Sequence, residues 1–245
     1  MLTDIFLMSL LAGAATGIGG LLAVMIKPDK KTFSFLMGLS GGIMLCISFT
    51  ELLAEGIEFG GMKLAIIGFA LGALSFMLID SFLPHIRFSE KETGKVNRKL
   101  FKTGLLLAIG VSIHNLPEGM AVGSGYAHLP ELGLVIAIGI ALHNIPEGIA
   151  TALPLCAAGY SRMKSFLISF GSGLVEPIGA VIAYLFLAQF SQLIPIMLSF
   201  AAGIMVFLTL DELLPIAEQK QHNPMSLGIL LGIIFVLVLS KLFGV

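Results

Sequence analysis

The segment GLLLAIGVSIHNLPEGMAVGSG, residues 104–125, is apolar enough to cross a membrane, yet it carries His114 and Glu118 near its middle. The phrase HNLPEG returns as HNIPEG, residues 143–148, in a second apolar stretch. In each copy the His and the Glu are four residues apart, so they share one helix face. Such groups are costly inside a bilayer unless they have partners. Two such faces together predict a buried site for a divalent metal ion.

A simpler interpretation is that the His and the Glu of each copy satisfy only each other. The second copy, and an Asn beside each His (Asn115 and Asn144), favour a metal site. The phrase differs from the H-E-x-x-H of zinc hydrolases, which places two His one turn apart with a Glu base beside the first. No Ser with a triad-like context stands out, so we expect no catalytic residues.

The composition predicts an all-α polytopic membrane protein. Hydrophobic residues make up 57% of the 245 residues, charged residues make up 12%, and the mean hydropathy is +1.01. No basic segment or A-x-A cleavage site opens the chain, so we interpret its start as the first span and not as a signal peptide. We expect one transmembrane transporter domain, 1–245, with a polar loop at about 84–100. The eight predicted spans are roughly 4–26, 33–57, 62–83, 101–126, 131–158, 163–188, 193–217 and 225–243.

The distribution of Lys and Arg predicts the orientation. With the N-terminus outside, the inner loops hold twelve of the fourteen basic residues and the outer side holds only Lys63 and Lys241. We therefore expect a multi-pass protein of the inner (plasma) membrane. Both termini would face outside, and the loop 84–100 would face the cytoplasm.

A longer repeat predicts how the spans are arranged. Gly42-Ile43-Met44 recurs at 203–205, and Thr50-Glu51-Leu52-Leu53 recurs at 211–214 with Asp in place of Thr. Ile18-Gly19 recurs at 178–179. Helices 1–3 thus resemble helices 6–8, and five spans separate the starts of the two units. An odd number reverses the second copy, which predicts a 3+2+3 inverted repeat around helices 4 and 5, as in secondary transporters.

Three further residues complete the predicted metal set. Glu176 is a buried carboxylate before a helix-bending proline, and we interpret it as a ligand that completes a second metal position. The alternative is a carboxyl group that burial keeps neutral. Met44 and Glu51 share one face of the second span and are candidates for the pathway, although Met44 has core filling as its alternative interpretation. Two divalent ions bring +4, whereas Glu118, Glu147 and Glu176 bring −3, or −4 with Glu51, so the cluster is nearly neutral. Mixed N and O ligands suit Zn, Fe(II), Mn or Co without strong selectivity.

These motifs resemble one known family. HNLPEG and HNIPEG on consecutive helices, VEP at 175–177 and FTELLAEG at 49–56 are similar to the ZIP (Zrt/Irt-like) zinc–iron permease family, in particular its ZupT/GufA-like bacterial type. The resemblance covers essentially all eight spans. It implies a binuclear site between helices 4, 5 and 6 and transport of metal into the cytoplasm. Many members carry a His-rich loop between helices 3 and 4, whereas here that loop is rich in Lys and Arg.

Carried over residue by residue, the resemblance implies two metal positions. The first would use His114, Glu118, His143 and Glu147, with Met44 or Glu51 as an open addition. The second would use Asn115, Asn144 and Glu176, with Glu118 and Glu147 bridging both.

Our interpretation is a divalent metal importer for zinc, with iron, manganese, cobalt and cadmium as further candidates. The alternatives are a cation/proton antiporter and an intramembrane metal-dependent hydrolase, and uptake of radioactive zinc set against hydrolysis of a lipid or peptide separates the last from a transporter. We expect no cofactor that acts as a catalyst and no nucleic-acid partner. The expected partners are divalent metal ions and the lipid bilayer, and a homodimer stays open.

Overall fold

The computed structural model describes residues 2–82, 97–128, 130–190 and 193–243. All regular elements in these ranges are helical. They are α1 (Leu2–Met25), α2 (Lys30–Ile47), a π-helical segment π1 (Ser48–Leu52), α3 (Leu53–Phe82), α4 (Arg98–His128), α5 (Pro130–Ala157), α6 (Arg162–Gly173), α7 (Glu176–Phe190), α8 (Ile194–Leu208), a second π-helical segment π2 (Thr209–Leu213), α9 (Leu214–Lys220) and α10 (His222–Phe243).

Seven helical stretches in the described ranges are long and apolar enough to cross a membrane. The expectation of a polytopic helical membrane protein is therefore met, although the count is seven where the sequence predicted eight. The predicted second and third spans lie within one stretch, Lys30–Ser81, of 52 residues. Gly61 interrupts this stretch with φ 77° and ψ 158°, a conformation that glycine adopts without strain. Most of the predicted loop 84–100, with His85 at its edge, lies outside the described residues.

The helix packing centres on α4 and α5, the helices that carry the two repeated phrases. α4 packs against α5, α7 and α8, while α5 also packs against α1 and α2. Around them, α1 contacts α6 and α7, α2 contacts α10, and α3 contacts α8. His114, Glu118 and Glu147 are consequently sealed from solvent, with at most 1% of each residue exposed.

The outer surface of the bundle is apolar, as a lipid-facing surface requires. Large side chains such as Leu11, Met25, Phe59, Ile66 and Leu78 are more than half exposed. In water such a surface would favour aggregation, whereas in lipid it carries no such penalty. The buried polar side chains include those of the two repeated phrases on α4 and α5, together with Ser172 and Glu176 at the junction of α6 and α7.

Candidate metal centre

Each repeated phrase places its His next to the Glu of the other phrase. The Nε2 atom of His114 lies 3.0 Å from Oε1 of Glu147, and the Nε2 atom of His143 lies 3.4 Å from Oε1 of Glu118. The pairing therefore runs between helices α4 and α5 and not within each helix. The interpretation that the His and the Glu of one copy satisfy only each other is wrong.

The paired side chains form a cluster that can hold a metal ion. One ligand atom from each of His114, Glu118 and Glu147 lies within 4.8 Å of the other two. Nitrogen and carboxylate oxygen at this separation are the donor types that borderline divalent metals accept. Both oxygens of Glu118 and Oε2 of Glu147 have no hydrogen-bond partner among the described residues. Burying carboxylate oxygens without a hydrogen-bond donor costs free energy, and a bound cation would offset that cost.

The two asparagines are oriented by main-chain carbonyls of other helices. The amide nitrogen of Asn115 donates to the carbonyl oxygen of Ser172 at 3.1 Å, and that of Asn144 donates to the carbonyl oxygen of Ala12 at 2.9 Å. With the nitrogens engaged, Oδ1 of both amides is left without a partner among the described residues. Oxygen is the amide atom that binds a metal ion. The carbonyls therefore select the amide orientation that a metal requires.

An interruption of the helix supplies one of these carbonyls. α6 ends at Gly173 and α7 begins at Glu176, with Pro177 in its first turn. Carbonyls in the last turn of a helix have no donor to meet within that helix, so the carbonyl of Ser172 is available to Asn115. The same interruption brings Glu176 into the bundle, where its Oε1 accepts a hydrogen bond from the amide of Asn144. Its Oε2 has no partner among the described residues, and the residue is fully buried.

Glu51 and Met44 lie outside the group of His114, Glu118 and Glu147. Glu51 lies on π1, is half-buried, and lines a cavity of about 50 Å³ together with Glu55, Glu118 and His143. Met44 is buried on α2, where its sulfur lies 3.9 Å from the hydroxyl of Thr209.

A second acidic group lies near the Lys102 end of α4. Ligand atoms of Asp80, Asp211 and Glu212 lie within 4.8 Å of one another. Lys102 reaches this group, with its Nζ 2.5 Å from Oδ1 of Asp80 and 3.7 Å from Oε1 of Glu212. The hydroxyl of Thr103 donates to Oε2 of Glu212 at 2.5 Å. Spacing along one helix does not predict this pairing, because it joins residues on separate helices.

Buried carboxylates, imidazoles and amides inside a bundle of apolar helices define an integral membrane protein that binds metal ions. A sequence profile described as ZIP zinc transporter matches residues 89–240, more than half of the chain. The chain belongs to the ZIP zinc transporter family. It is a multi-pass membrane protein that transports divalent metal ions, and it is not an enzyme.

The chain is similar along nearly its whole length to proteins named zinc transporter ZupT. The protein of Akkermansia muciniphila is 41% identical over 96% of this chain and 95% of its own length. That of Chlorobium limicola is 43% identical over 92% of each chain, and that of Oceanobacillus iheyensis is 41% identical over 93% of each chain.

Proposed function

We propose that this protein carries zinc into the cytoplasm through a binuclear site between α4, α5 and the α6–α7 junction. The observation that carries the proposal is a set of buried oxygens that accept no hydrogen bond from the described residues, on Glu118, Glu147, Glu176, Asn115 and Asn144. The relatives that match most of the chain are named zinc transporters. Because the donors are mixed nitrogen and oxygen, we include iron, manganese, cobalt and cadmium as further substrates.

The first metal position would take His114, Glu118, His143 and Glu147. The crossed pairs of 3.0 Å and 3.4 Å support this set, because a metal ion can replace the contact between imidazole and carboxylate. The imidazoles bind metal only in their neutral form, so binding to any protonated imidazole releases its proton.

The second position would take Asn115, Asn144 and Glu176, with Glu118 and Glu147 bridging both metals. Two observations support a metal position beside Glu176 and Asn144. These two side chains contact each other, and Oε2 of Glu176 accepts no hydrogen bond from the described residues.

Glu51 and Met44 are proposed as residues of the pathway. Glu51 lines the cavity that reaches His143 and Glu118, so a cation that approaches from this end meets its carboxylate first. Met44 lies about two helical turns before Glu51 on the same stretch of chain, and its thioether is a weak ligand for a soft metal ion. The hydroxyl of Thr209 contacts the Met44 sulfur at 3.9 Å.

The fold that we propose has eight spans in a 3+2+3 inverted repeat, in one transmembrane domain covering 1–245. A helix of 52 residues would be about 78 Å long at 1.5 Å per residue, more than twice the hydrocarbon core of a bilayer, so a turn at Gly61 is a natural division. The π-helical segments, Ser48–Leu52 and Thr209–Leu213, fall on the two copies of the repeated stretch, at its TEL and DEL sequences, which supports the repeat. In the proposed repeat α2 corresponds to α8 and α3 corresponds to α10. The packing of α3 on α8 and of α10 on α2 is then the same contact made once by each half, which also supports the repeat.

The proposed orientation places both termini outside the inner membrane and the loop 84–100 in the cytoplasm. Lys27, Lys30, Arg162 and Lys220 line one cavity of about 400 Å³, while Glu51 and Glu55 line the smaller cavity at the opposite end of α2. Basic residues favour the cytoplasmic face, and an acidic mouth outside would attract cations. Single cysteines at 161 and 128 test this: we expect labelling from the cytoplasm and from outside, respectively, and the reverse pattern would overturn the orientation.

Uptake of radioactive zinc into vesicles that contain the purified protein tests the function. We expect saturable uptake that excess Fe(II), Mn or Co reduces, and no hydrolysis of lipid or peptide. Uptake equal to that of protein-free vesicles would overturn the proposal. A homodimer is proposed as the assembly, and its test is the mass of the detergent-solubilised protein.

A further inference from the structure

Thr16 on α1 is a buried residue whose hydroxyl has no assigned role. No part of its surface is exposed, and its Oγ1 atom has no hydrogen-bond partner among the described residues. A threonine in a helix often donates to the carbonyl four residues earlier, here Ala12. In this structure the carbonyl oxygen of Ala12 accepts instead from the amide of Asn144 at 2.9 Å. A buried hydroxyl that lacks this acceptor beside a polar site requires another partner.

The contacts around Thr16 repeat those around Glu176. Asn144 donates to Ala12, and Asn115 donates in the same way to Ser172. The two asparagines occupy the same place in the two repeated phrases, so Ala12 and Ser172 correspond to each other. Thr16 follows Ala12 by the same interval at which Glu176 follows Ser172. Thr16 is therefore the residue that corresponds to Glu176 in this pattern.

Glycine contacts give the same correspondence independently of the asparagines. A Cβ atom on Gly148 would collide with the carbonyl oxygen of Thr16, just as one on Gly119 would collide with that of Glu176. A Cβ on Gly173 would lie 2.9 Å from Cβ of Thr16, and one on Gly13 would lie 3.5 Å from Cβ of Glu176. The backbones thus hold Thr16 and Glu176 in equivalent places on two helices.

We propose that the hydroxyl of Thr16 is a further metal-binding group of the second position, across from Glu176, acting directly or through one water bound to the metal. This inference rests on the proposed binuclear site. A hydroxyl adds an oxygen donor without adding a charge, which keeps the cluster of three core carboxylates nearly neutral against two divalent ions. Oxygen donors favour Mn²⁺ relative to soft ligands, so Thr16 would also widen the range of metals that the second position accepts.

The test is a metal titration of the purified protein in detergent, read by native mass spectrometry. We expect Thr16→Val, which keeps the shape and removes the hydroxyl, to retain the first metal and to bind the second about tenfold more weakly. Thr16→Ser should bind both metals as the wild type does. Ser9→Ala is the matched control, because Ser9 is also buried on α1 but its hydroxyl donates to its own helix at Ile5, 2.8 Å away.

A gain of function separates a metal contact from a role in packing. Thr16→Cys places a thiol at the same point, and thiolate prefers Zn²⁺ to Mn²⁺, so the Zn-to-Mn preference of the second position should rise. An unchanged second affinity in Thr16→Val, a loss in Thr16→Ser or Ser9→Ala equal to that in Thr16→Val, or an unchanged preference in Thr16→Cys would overturn the proposal. A wild-type protein that holds fewer than two metals would instead overturn the binuclear site itself.

Discussion

Two acidic groups in this bundle look alike by distance and differ in what surrounds them. His114, Glu118 and Glu147 form the central cluster, and Asp80, Asp211 and Glu212 form a second group, which we call the lysine-capped cluster. In both, three ligand atoms lie within 4.8 Å of one another. By distance alone, both groups are candidate metal sites.

The partners decide between them. Lys102 makes ion pairs with Asp80 and Glu212, and side-chain exposures of 31% and 22% for Lys102 and Asp80 allow water to assist. The central cluster has no Lys or Arg contact among the described residues, and four of its carboxylate and imidazole atoms lack hydrogen-bond partners there. The carboxylates of the central cluster face imidazoles, which can give up a proton when a metal ion binds, whereas the lysine keeps its charge and already neutralises its cluster. The comparison indicates that the kind of cation beside the acids, and not the number of acids, distinguishes the proposed metal site from the lysine-capped cluster.

Removing a carboxylate from the central cluster should have the largest effect on transport. Glu118→Ala or Glu147→Ala each removes one negative charge and the proposed contact to both metals, so we expect zinc uptake close to that of empty vesicles. Uptake of radioactive zinc by equal amounts of inserted protein is the measurement. Glu218→Ala is the control, because the Glu218 side chain is 61% exposed and pairs with His222 on the surface. Near wild-type uptake by either central variant would refute the proposed bridging role.

A milder change separates the two metal positions. Glu176→Gln keeps the shape and removes one charge, so we expect the protein to hold one metal in place of two and to transport at a changed rate without becoming inactive. Metal content by mass spectrometry, paired with uptake, is the measurement. A variant that keeps two tightly bound metals, or that loses both together, would show that Glu176 does not serve a separate position.

We expect the smallest effect on uptake from removing the lysine of the lysine-capped cluster. Lys102→Gln removes its cation, so Asp80 and Glu212 should gain a weak, millimolar-range affinity for Mn²⁺ or Zn²⁺, with little change in uptake. Lys99→Gln is the control, because Lys99 bonds Gln219 at 3.1 Å on the exposed surface. If the Lys102 variant binds no additional metal at millimolar concentrations, then solvent exposure and not the lysine distinguishes the two clusters.

The sequence predicted the parts of this protein that local spacing controls. A four-residue interval places His114 and Glu118 on one face, and the repetition of the phrase on the next helix predicts that two such faces meet. Apolar length predicts a helical membrane protein in the same local way, and the bias of basic residues predicts an orientation that stays a prediction. The family and its transport of divalent metals follow from motifs of this kind.

The features that the sequence did not predict depend on contacts between residues that are distant along the chain. Spacing along one helix cannot show that each His meets the Glu of the other phrase, or that Lys102 reaches Asp80 on another helix. Motifs cannot identify the carbonyls of Ala12 and Ser172, because every residue has a carbonyl and only the packing decides which one accepts from an asparagine. A signal for Thr16 was nevertheless present, since the register that matches Ile18-Gly19 with 178–179 also matches Thr16 with Glu176.

The number of zinc ions that each purified chain holds tests the proposed binuclear site directly. We predict two ions for the wild type and none retained tightly by the double variant Glu118→Ala/Glu147→Ala, measured by native mass spectrometry at equal free zinc. The lysine-capped cluster should contribute none in either protein. A wild type that holds a single ion, or a double variant that still holds one or two tightly, would contradict a binuclear site bridged by Glu118 and Glu147.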